Sequence, residues 1–208
     1  LYTMLECRQE KDPKKMGEAF LQFSETSALL GKWLTLTGSE SLMEIQKILS
    51  VCVNYACMGH EHFQKYTSAE NASHQIEESH AMICRAHFNL AEFCDKQYRA
   101  IEREQSSPQW QARQRLLAHT DKQLDLMTKK KGSRRSSADK DFLLYKATAA
   151  RFHEQDQREA LAMESRKMEF LRVALSHYKS TLVKGKLHNN KVAFRVCQLW
   201  FKLSDNEV

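Results

Sequence analysis

Cysteine and histidine side chains gather in the middle of the sequence, where thiolates and imidazoles could bind zinc. The set comprises Cys52, Cys57, His60, His62, His80, Cys84 and His87. His80, Cys84 and His87 recur at steps of four and three residues, so they share one face of a predicted helix. The spacing of the whole set matches no structural zinc pattern, and Cys52 falls within an apolar helical stripe. We therefore predict no metal ligand, no catalytic residue and no cofactor-binding residue in this chain.

Other chemistries lack the residues they need. The six glycines are scattered singly, which excludes a Walker loop and a dinucleotide-binding fingerprint. The triplet Asp141-Phe142-Leu143 lacks the glycine of the metal-holding Asp-Phe-Gly motif of protein kinases. The carboxylates of Glu77 with Glu78 and of Glu102 with Glu104 have no predicted apolar pocket that would raise a pKa. We interpret both pairs as parts of solvated helix faces.

Positive charge is concentrated in the second half of the chain. Residues 1–100 hold 10 Lys and Arg against 13 Asp and Glu, whereas residues 101–208 hold 22 against 13. Much of the excess lies in a basic stretch at 129–137, which we interpret as a solvated loop. Two alternatives stay open there: Arg134-Arg135-Ser136-Ser137 suits a basophilic kinase or an import signal, and the basic half could bind nucleic acid.

Composition predicts a folded, helical protein. The 208 residues include only six glycines and two prolines, which argues against collagen and against sandwiches with frequent turns. A hydrophobic share of 42% with 28% charged residues argues against wholesale disorder. We see neither an apolar run long enough to span a membrane nor a secretory leader, and we interpret the six cysteines as reduced thiols. Because the chain begins at Leu1, we expect it to be a piece of a larger protein.

Apolar spacing predicts helices in long antiparallel pairs. The expected elements are a helical hairpin at 14–57, a polar loop at 59–73, a long helical pair at 74–131, the basic loop at 129–137, and a long helix with a closing helix at 138–203. Ser41 with Glu44 forms a capping-box pattern, and Ser107 followed by Pro108 suits a second helix start. The predicted fold class is an all-α solenoid of antiparallel helix pairs, with degenerate repeats of the tetratricopeptide or HEAT kind.

Each predicted helix carries an apolar stripe. In the first helix we expect a buried face, and it consists of Met16, Phe20, Phe23, Leu30 and Leu34. The third helix has near-heptad spacing, through Ile76, Ile83, His87, Leu90, Cys94, Tyr98 and Ile101. The closing helix is the densest, with Val192, Phe194, Val196, Leu199, Trp200 and Leu203. The tryptophans, Trp33, Trp110 and Trp200, lie in such stripes, so we interpret them as packing residues.

Three segments in this order resemble the FAT region of the ATM-type members of the phosphatidylinositol-kinase-related protein kinases. They are FLQFSETSALLGKW at 20–33, FNLAEFCDKQYR at 88–99 and FRVCQLWFKL at 194–203. Residues 170–187 are similar to the helix that precedes the last match. The resemblance covers nearly all of the chain, although residues 57–75 and 129–137 depart from the pattern and inherit no role.

The resemblance implies a helical scaffold that supports and restrains a serine/threonine kinase domain located beyond residue 208. Its expected setting is DNA double-strand-break checkpoint signalling in the nucleus, with a cytoplasmic pool. Expected partners are the chain's own kinase domain, neighbouring helical repeats, a second copy of the parent protein and, indirectly, DNA-break sensors; no membrane is expected. ATP and magnesium would act in the parent kinase domain and not in this segment. The alternatives are a free-standing helical-repeat adaptor and a basic nucleic-acid-binding helical module.

Overall fold

A computed structural model describes residues 12–65, 72–129, 138–184 and 190–206, and within these ranges the chain forms six α-helices and no strand. In chain order they are α1 (Pro13–Thr37), α2 (Leu42–Lys65), α3 (Ala72–Gln105), α4 (Pro108–Lys129), α5 (Ala138–Lys184) and α6 (Asn190–Asn206). The residues group into two compact units. One comprises Leu1–Lys96 with Leu171–Val208, and the other comprises Gln97–Phe170.

Local capping signals set the helix ends. The Asp12 side chain accepts a hydrogen bond from the backbone of Lys14 at the start of α1, and Gly38 ends that helix with a left-handed φ of 62°. The Ser41 hydroxyl accepts from the Glu44 backbone N–H at 3.2 Å, and the Ser107 hydroxyl accepts from the third residue of α4 at the same distance. The sequence predictions of a helix start after Ser41 and of another after Ser107 are confirmed.

Small residues bring α1 and α2 into close antiparallel contact. A Cβ added at Gly17 would lie 2.8 Å from the Phe63 ring, and one added at Gly31 would lie 2.7 Å from a Leu49 methyl. Midway between them, the buried Ser24 hydroxyl donates to the Cys52 carbonyl at 2.9 Å. Residue numbers therefore rise along α1 in the direction in which they fall along α2, so the two helices are antiparallel.

The predicted buried face of α1 was wrong in part. The helix buries Gly17, Ser24, Gly31 and Leu34, whereas Leu30 is 45% exposed, and Met16, Phe20 and Phe23 are only half-buried. The physical reason is the short distance between the helix axes, which leaves room for glycine and serine at the contact and displaces large side chains to its flanks. A sequence reading based on apolar spacing selects the large residues instead.

The predicted polar loop at 59–73 was also wrong where it can be compared. Helix α2 continues through Gly59 to Lys65, and α3 begins at Ala72; residues 66–71 lie outside the described residues. Buried Phe63 packs against Gly17, which explains why the polar sequence around it stays helical. In the basic stretch at 129–137, Lys129 is the last residue of α4, and residues 130–137 lie outside the described residues.

In the first unit, α3 lies beside the α1–α2 pair. Residues 25–32 of α1 line one cavity together with residues 82–89 of α3, and residues 28–36 line the next together with residues 89–96, so α3 runs parallel to α1 and antiparallel to α2. The stripe predicted for α3 is confirmed at its centre, because Ile83, His87, Leu90, Cys94 and Tyr98 are all buried. Helices alternating in direction and lying side by side form an all-α, solenoid-like fold.

Polar contacts join α3 and α4 to α5 in the second unit. Arg113 of α4 forms ion pairs with Asp156 and, at 2.7 Å, with Glu159 of α5. Gln105 donates to Glu164 at 2.8 Å and accepts from Lys167 at 2.9 Å. The polar run at 154–159, which looks partnerless in the sequence, therefore contacts α4 through its carboxylates. Beside it, Leu117 and His153 are buried.

Candidate functional site

Helix α6 is apolar on two opposite faces. On one face, Val192, Val196 and Leu199 are buried within the first unit. On the opposite side, Phe194 is 66% exposed and Phe201 is 70% exposed, one heptad apart. A second apolar face, opposite the face that a helix buries, is typical of a surface that contacts a neighbour. The outer face of α6, defined by Phe194, Cys197 and Phe201, is therefore a candidate interaction surface.

A buried ion pair fixes the orientation of α6. Arg195 donates from Nε to Oδ2 of Asp95 at 2.9 Å and from its terminal nitrogen to Oδ1, a bidentate contact between α6 and α3. The Asp95 side chain is only 1% exposed, and the Tyr178 hydroxyl of α5 donates to it at 3.5 Å. Arg195 also donates to Gln198 at 2.9 Å. Three helices thus meet at one carboxylate.

A cation–π contact flanks the outer face. The ammonium of Lys179 lies 3.8 Å from the centre of the Trp200 ring, which links α5 to α6. Trp200 remains 56% exposed, so part of its ring is still available to a partner. Nearby, Val183 at the end of α5 is 86% exposed. Exposed aromatic and aliphatic side chains of this density are typical of protein–protein contact surfaces.

The Cys and His set predicted from the sequence splits into separate contacts. His60 hydrogen-bonds Ser79 at 2.8 Å, and its ring lies 5.8 Å from that of His80. His87 pairs with His177, a residue outside the predicted set. Across the described part of the chain, no three His, Cys, Asp or Glu side chains are arranged to hold a metal ion.

The described cysteines form no disulfide with one another, and burial makes Cys52 and Cys84 poor nucleophiles. Cys52, Cys57, Cys84, Cys94 and Cys197 form no disulfide in the described ranges. Burial raises the pKa of the Cys52 thiol, against a smaller opposite effect of the Ser24 hydrogen bond. Burial likewise raises the pKa of Cys84, although Lys184 acts in the opposite direction. Both effects disfavour the thiolate, the form that attacks electrophiles and binds zinc.

Buried His87 of α3 pairs with half-buried His177 of α5. Their Nδ1 atoms are 2.7 Å apart, so one ring donates and the other accepts. Burial first, then the neighbouring His177 and Lys184, lowers the pKa of His87 to about 4, and burial lowers the pKa of His177. Nε2 of His87 is buried and has no hydrogen-bond partner among the described residues.

The remaining predicted candidates stay apart. Trp33 is 57% exposed and Trp110 is half-buried beside Arg113, whose guanidinium lies 5.8 Å from the ring centre. Glu102 accepts from the Tyr98 hydroxyl at 3.0 Å, while Glu77, Glu78 and Glu104 lie on exposed helix surface. The Asp141 and Phe142 side chains and residues 134–137 lie outside what the structure describes. No helix in the described ranges combines the length and apolarity needed to cross a bilayer.

The site residues that sequence reasoning missed are Asp95, Arg195 and His177. The available signal was a charged side chain inside an apolar stripe: Asp95 follows Cys94, and Arg195 lies between Phe194 and Val196. Nothing in the sequence pairs Asp95 with Arg195, since 100 positions separate them.

Removing the buried carboxylate should destabilise the first unit. We expect Asp95→Ala to lower the free energy of unfolding by about 3–5 kcal/mol, because it leaves the Arg195 guanidinium without its buried partner. Urea unfolding followed by circular dichroism measures this. The matched control is Glu92→Ala, which removes an exposed carboxylate from a pair with Lys96 on the same helix and should cost less than about 1 kcal/mol. If both variants lost the same free energy of unfolding, the stabilising role of the contact between Asp95 and Arg195 would be contradicted.

The histidine pair should make stability depend on pH. Because the pKa of His87 is lowered in the folded state, the unfolded chain binds more protons below its ordinary pKa near 6.5. The free energy of unfolding should therefore fall as the pH drops from about 6.5 towards 4, by roughly 3 kcal/mol. His87→Gln should flatten this fall, whereas His74→Gln, at an exposed position of the same helix, should not. Urea titrations at successive pH values measure the free energy of unfolding. If that free energy depends on pH in His87→Gln as it does in the wild type, the pH dependence does not come from His87.

The chain is similar to part of a protein kinase. It is 27% identical over 193 residues to the serine/threonine-protein kinase ATM of Arabidopsis thaliana, and the match covers 88% of this chain. It spans only 4% of the length of that kinase. No protein-family model matches the chain, and no solved structure is significantly similar to it.

Proposed function

We propose that the chain is a helical scaffold segment, of the FAT-region kind, that supports and restrains the kinase domain of an ATM-like serine/threonine kinase. The observation that carries this proposal is the similarity to a plant ATM kinase across 88% of the chain. The match extends over the helices and is not confined to one motif, as expected for a segment whose role depends on packing. In this proposal the segment transfers no phosphate itself.

The two apolar faces of α6 support a scaffold role. The inner face packs on the first unit, and the outer face presents Phe194 and Phe201 to a neighbour. In repeat proteins each helix pair contacts the pairs before and after it, so a piece taken from such an array exposes faces that its neighbours would cover. The exposed Leu161 and Phe152 of α5, 72% and 67% exposed, fit the same interpretation in the second unit.

The proposal extends to partners and setting. The outer face of α6 would contact neighbouring helical repeats or the kinase domain of the same protein, and the parent protein would form a homodimer. ATP and magnesium would bind in that kinase domain. DNA-break sensors would act on the segment indirectly, in double-strand-break checkpoint signalling in the nucleus, with a further pool in the cytoplasm.

Charged substitutions on the outer face of α6 should loosen this restraint. We expect Phe194→Glu with Phe201→Glu, introduced into the full parent kinase, to raise its basal phosphorylation of a peptide substrate by at least about fivefold. In the isolated 208-residue chain the same pair should leave the unfolding midpoint almost unchanged, because both rings are exposed there.

The control is Lys191→Glu, at an exposed polar position of the same helix, which should leave basal activity unaltered. If the double variant neither changes kinase activity nor weakens any contact of α6 within the parent, the restraining role is wrong. If instead it abolishes binding of a separate protein while kinase activity is unchanged, the alternative of a helical-repeat adaptor is favoured.

A further inference from the structure

The rings of His87 and His177 meet where α3 packs against α5. Their Nδ1 atoms are 2.7 Å apart, and their ring centres are 4.9 Å apart with an angle of 35° between the planes. His87 is only 7% exposed, and its second ring nitrogen, Nε2, is buried without a hydrogen-bond partner among the described residues. His177 is half-buried. The pair is therefore asymmetric, because the second nitrogen of His87 faces no described acceptor.

The positions of the ring hydrogens follow from this asymmetry. A hydrogen bond between two Nδ1 atoms contains one hydrogen, so one ring donates and the other accepts. If His177 donated, the neutral His87 ring would carry its only hydrogen on Nε2, buried without an acceptor. Orphaned N–H groups are rarer in protein interiors than unpaired acceptors. His87 therefore donates from Nδ1, and His177 accepts at Nδ1 and carries its own hydrogen on Nε2.

An added proton puts a hydrogen on Nε2 of His87 in every arrangement that keeps this contact. If His87 takes up the proton, its ring carries hydrogens on both nitrogens. If His177 takes it up, His177 must donate from Nδ1, and the single hydrogen of the neutral His87 ring is then on Nε2. Both outcomes leave a buried N–H without an acceptor, which costs about 1–3 kcal/mol. The closed contact therefore disfavours a protonated pair.

The charges around the pair add to this effect. Burial is the main cause that lowers the pKa of His87 to about 4, and His177 and Lys184 act in the same direction. Lys184 also acts on His60 of α2 and on Cys84 of α3, and His60 is in turn affected by His80 and Glu61. The charge of Glu61 thus acts on His60, whereas no carboxylate in the described part of the chain offsets an added charge on His87.

We propose that His87 and His177 form a proton-sensitive contact, which holds α5 on α3 while both rings are neutral and opens when the pair takes up a proton. Tyr178 follows His177 in α5, and its hydroxyl donates to Asp95 at 3.5 Å. Opening therefore also loosens the surroundings of the carboxylate that binds Arg195 of α6. The inference does not depend on the proposed kinase role, because both histidines belong to the first unit.

The ring hydrogens of the neutral pair can be located directly. Long-range proton–nitrogen correlation spectra of the histidine-labelled 208-residue chain show which nitrogen of each ring carries hydrogen. At neutral pH we expect the hydrogen of His87 on Nδ1 and that of His177 on Nε2. His74, at an exposed position of α3, supplies the reference for a ring without a fixed tautomer. A hydrogen on Nε2 of His87 at neutral pH would overturn the proposal, because the closed contact would then tolerate it.

Backbone hydrogen exchange of α5 measures the opening. From about pH 7 to about pH 5, exchange around His177, corrected for the intrinsic rate, should rise about twentyfold, because the open rings regain an ordinary pKa near 6.5. His87→Asn should remove most of this rise, since the amide oxygen can accept from protonated His177 and no ring nitrogen is left buried. The matched control is His74→Asn, the same change at an exposed position of α3, which should keep the rise.

Low concentrations of urea separate local opening from global unfolding. At about pH 5, exchange around His177 should not respond to urea, whereas exchange at the buried Ile45 and Leu49 of α2 should rise, because global unfolding exposes far more surface. The proposal is overturned if exchange around His177 rises with urea as it does in α2. It is also overturned if that exchange is the same at both pH values, or if His87→Asn keeps the full dependence on pH.

Discussion

The buried contact between Asp95 and Arg195 is the constraint on which the presentation of α6 depends. A carboxylate that is 1% exposed is costly to desolvate, and the bidentate guanidinium and the tyrosine hydroxyl offset that cost. The pair therefore permits few orientations of α6 against α3. With Arg195 directed at Asp95, Val196 and Leu199 face inwards, while Phe194 and Phe201 face outwards. The same contact that stabilises the first unit thus determines which aromatic rings a neighbour meets.

Small side chains at the contact between α1 and α2 likewise determine which large side chains stay exposed. Gly17, Ser24 and Gly31 allow α1 to approach α2 closely, so the large residues of α1 are displaced from the contact. Leu29 and Leu36 then lie exposed beside α3. The exposure of these leucines and of the outer face of α6 is therefore a consequence of internal packing: the first follows from glycines, and the second follows from an ion pair.

Signals that act over a few residues predicted much of the fold. The caps at Ser41 and Ser107 and the stripe through Leu90 and Cys94 were predictable, because each depends on neighbours within one or two turns. Contacts between segments that are distant in the sequence were not predictable. Apolar spacing could not identify the face of α1 that a close helix contact selects, the Phe63 packing that keeps α2 helical, or the pairing of His87 with His177. The candidate surfaces depend on such long-range contacts, so the sequence indicated a dense closing helix but not which of its side chains stay exposed.

The central claim is that this chain is a scaffold segment of an ATM-like kinase, and the most direct measurement is the sequence of the parent transcript downstream of the codon for Val208. The account predicts an open reading frame that continues into a kinase domain with a catalytic-loop aspartate and an Asp-Phe-Gly motif. A stop codon soon after Val208, with no kinase domain encoded, would contradict the account and would leave a free-standing helical scaffold.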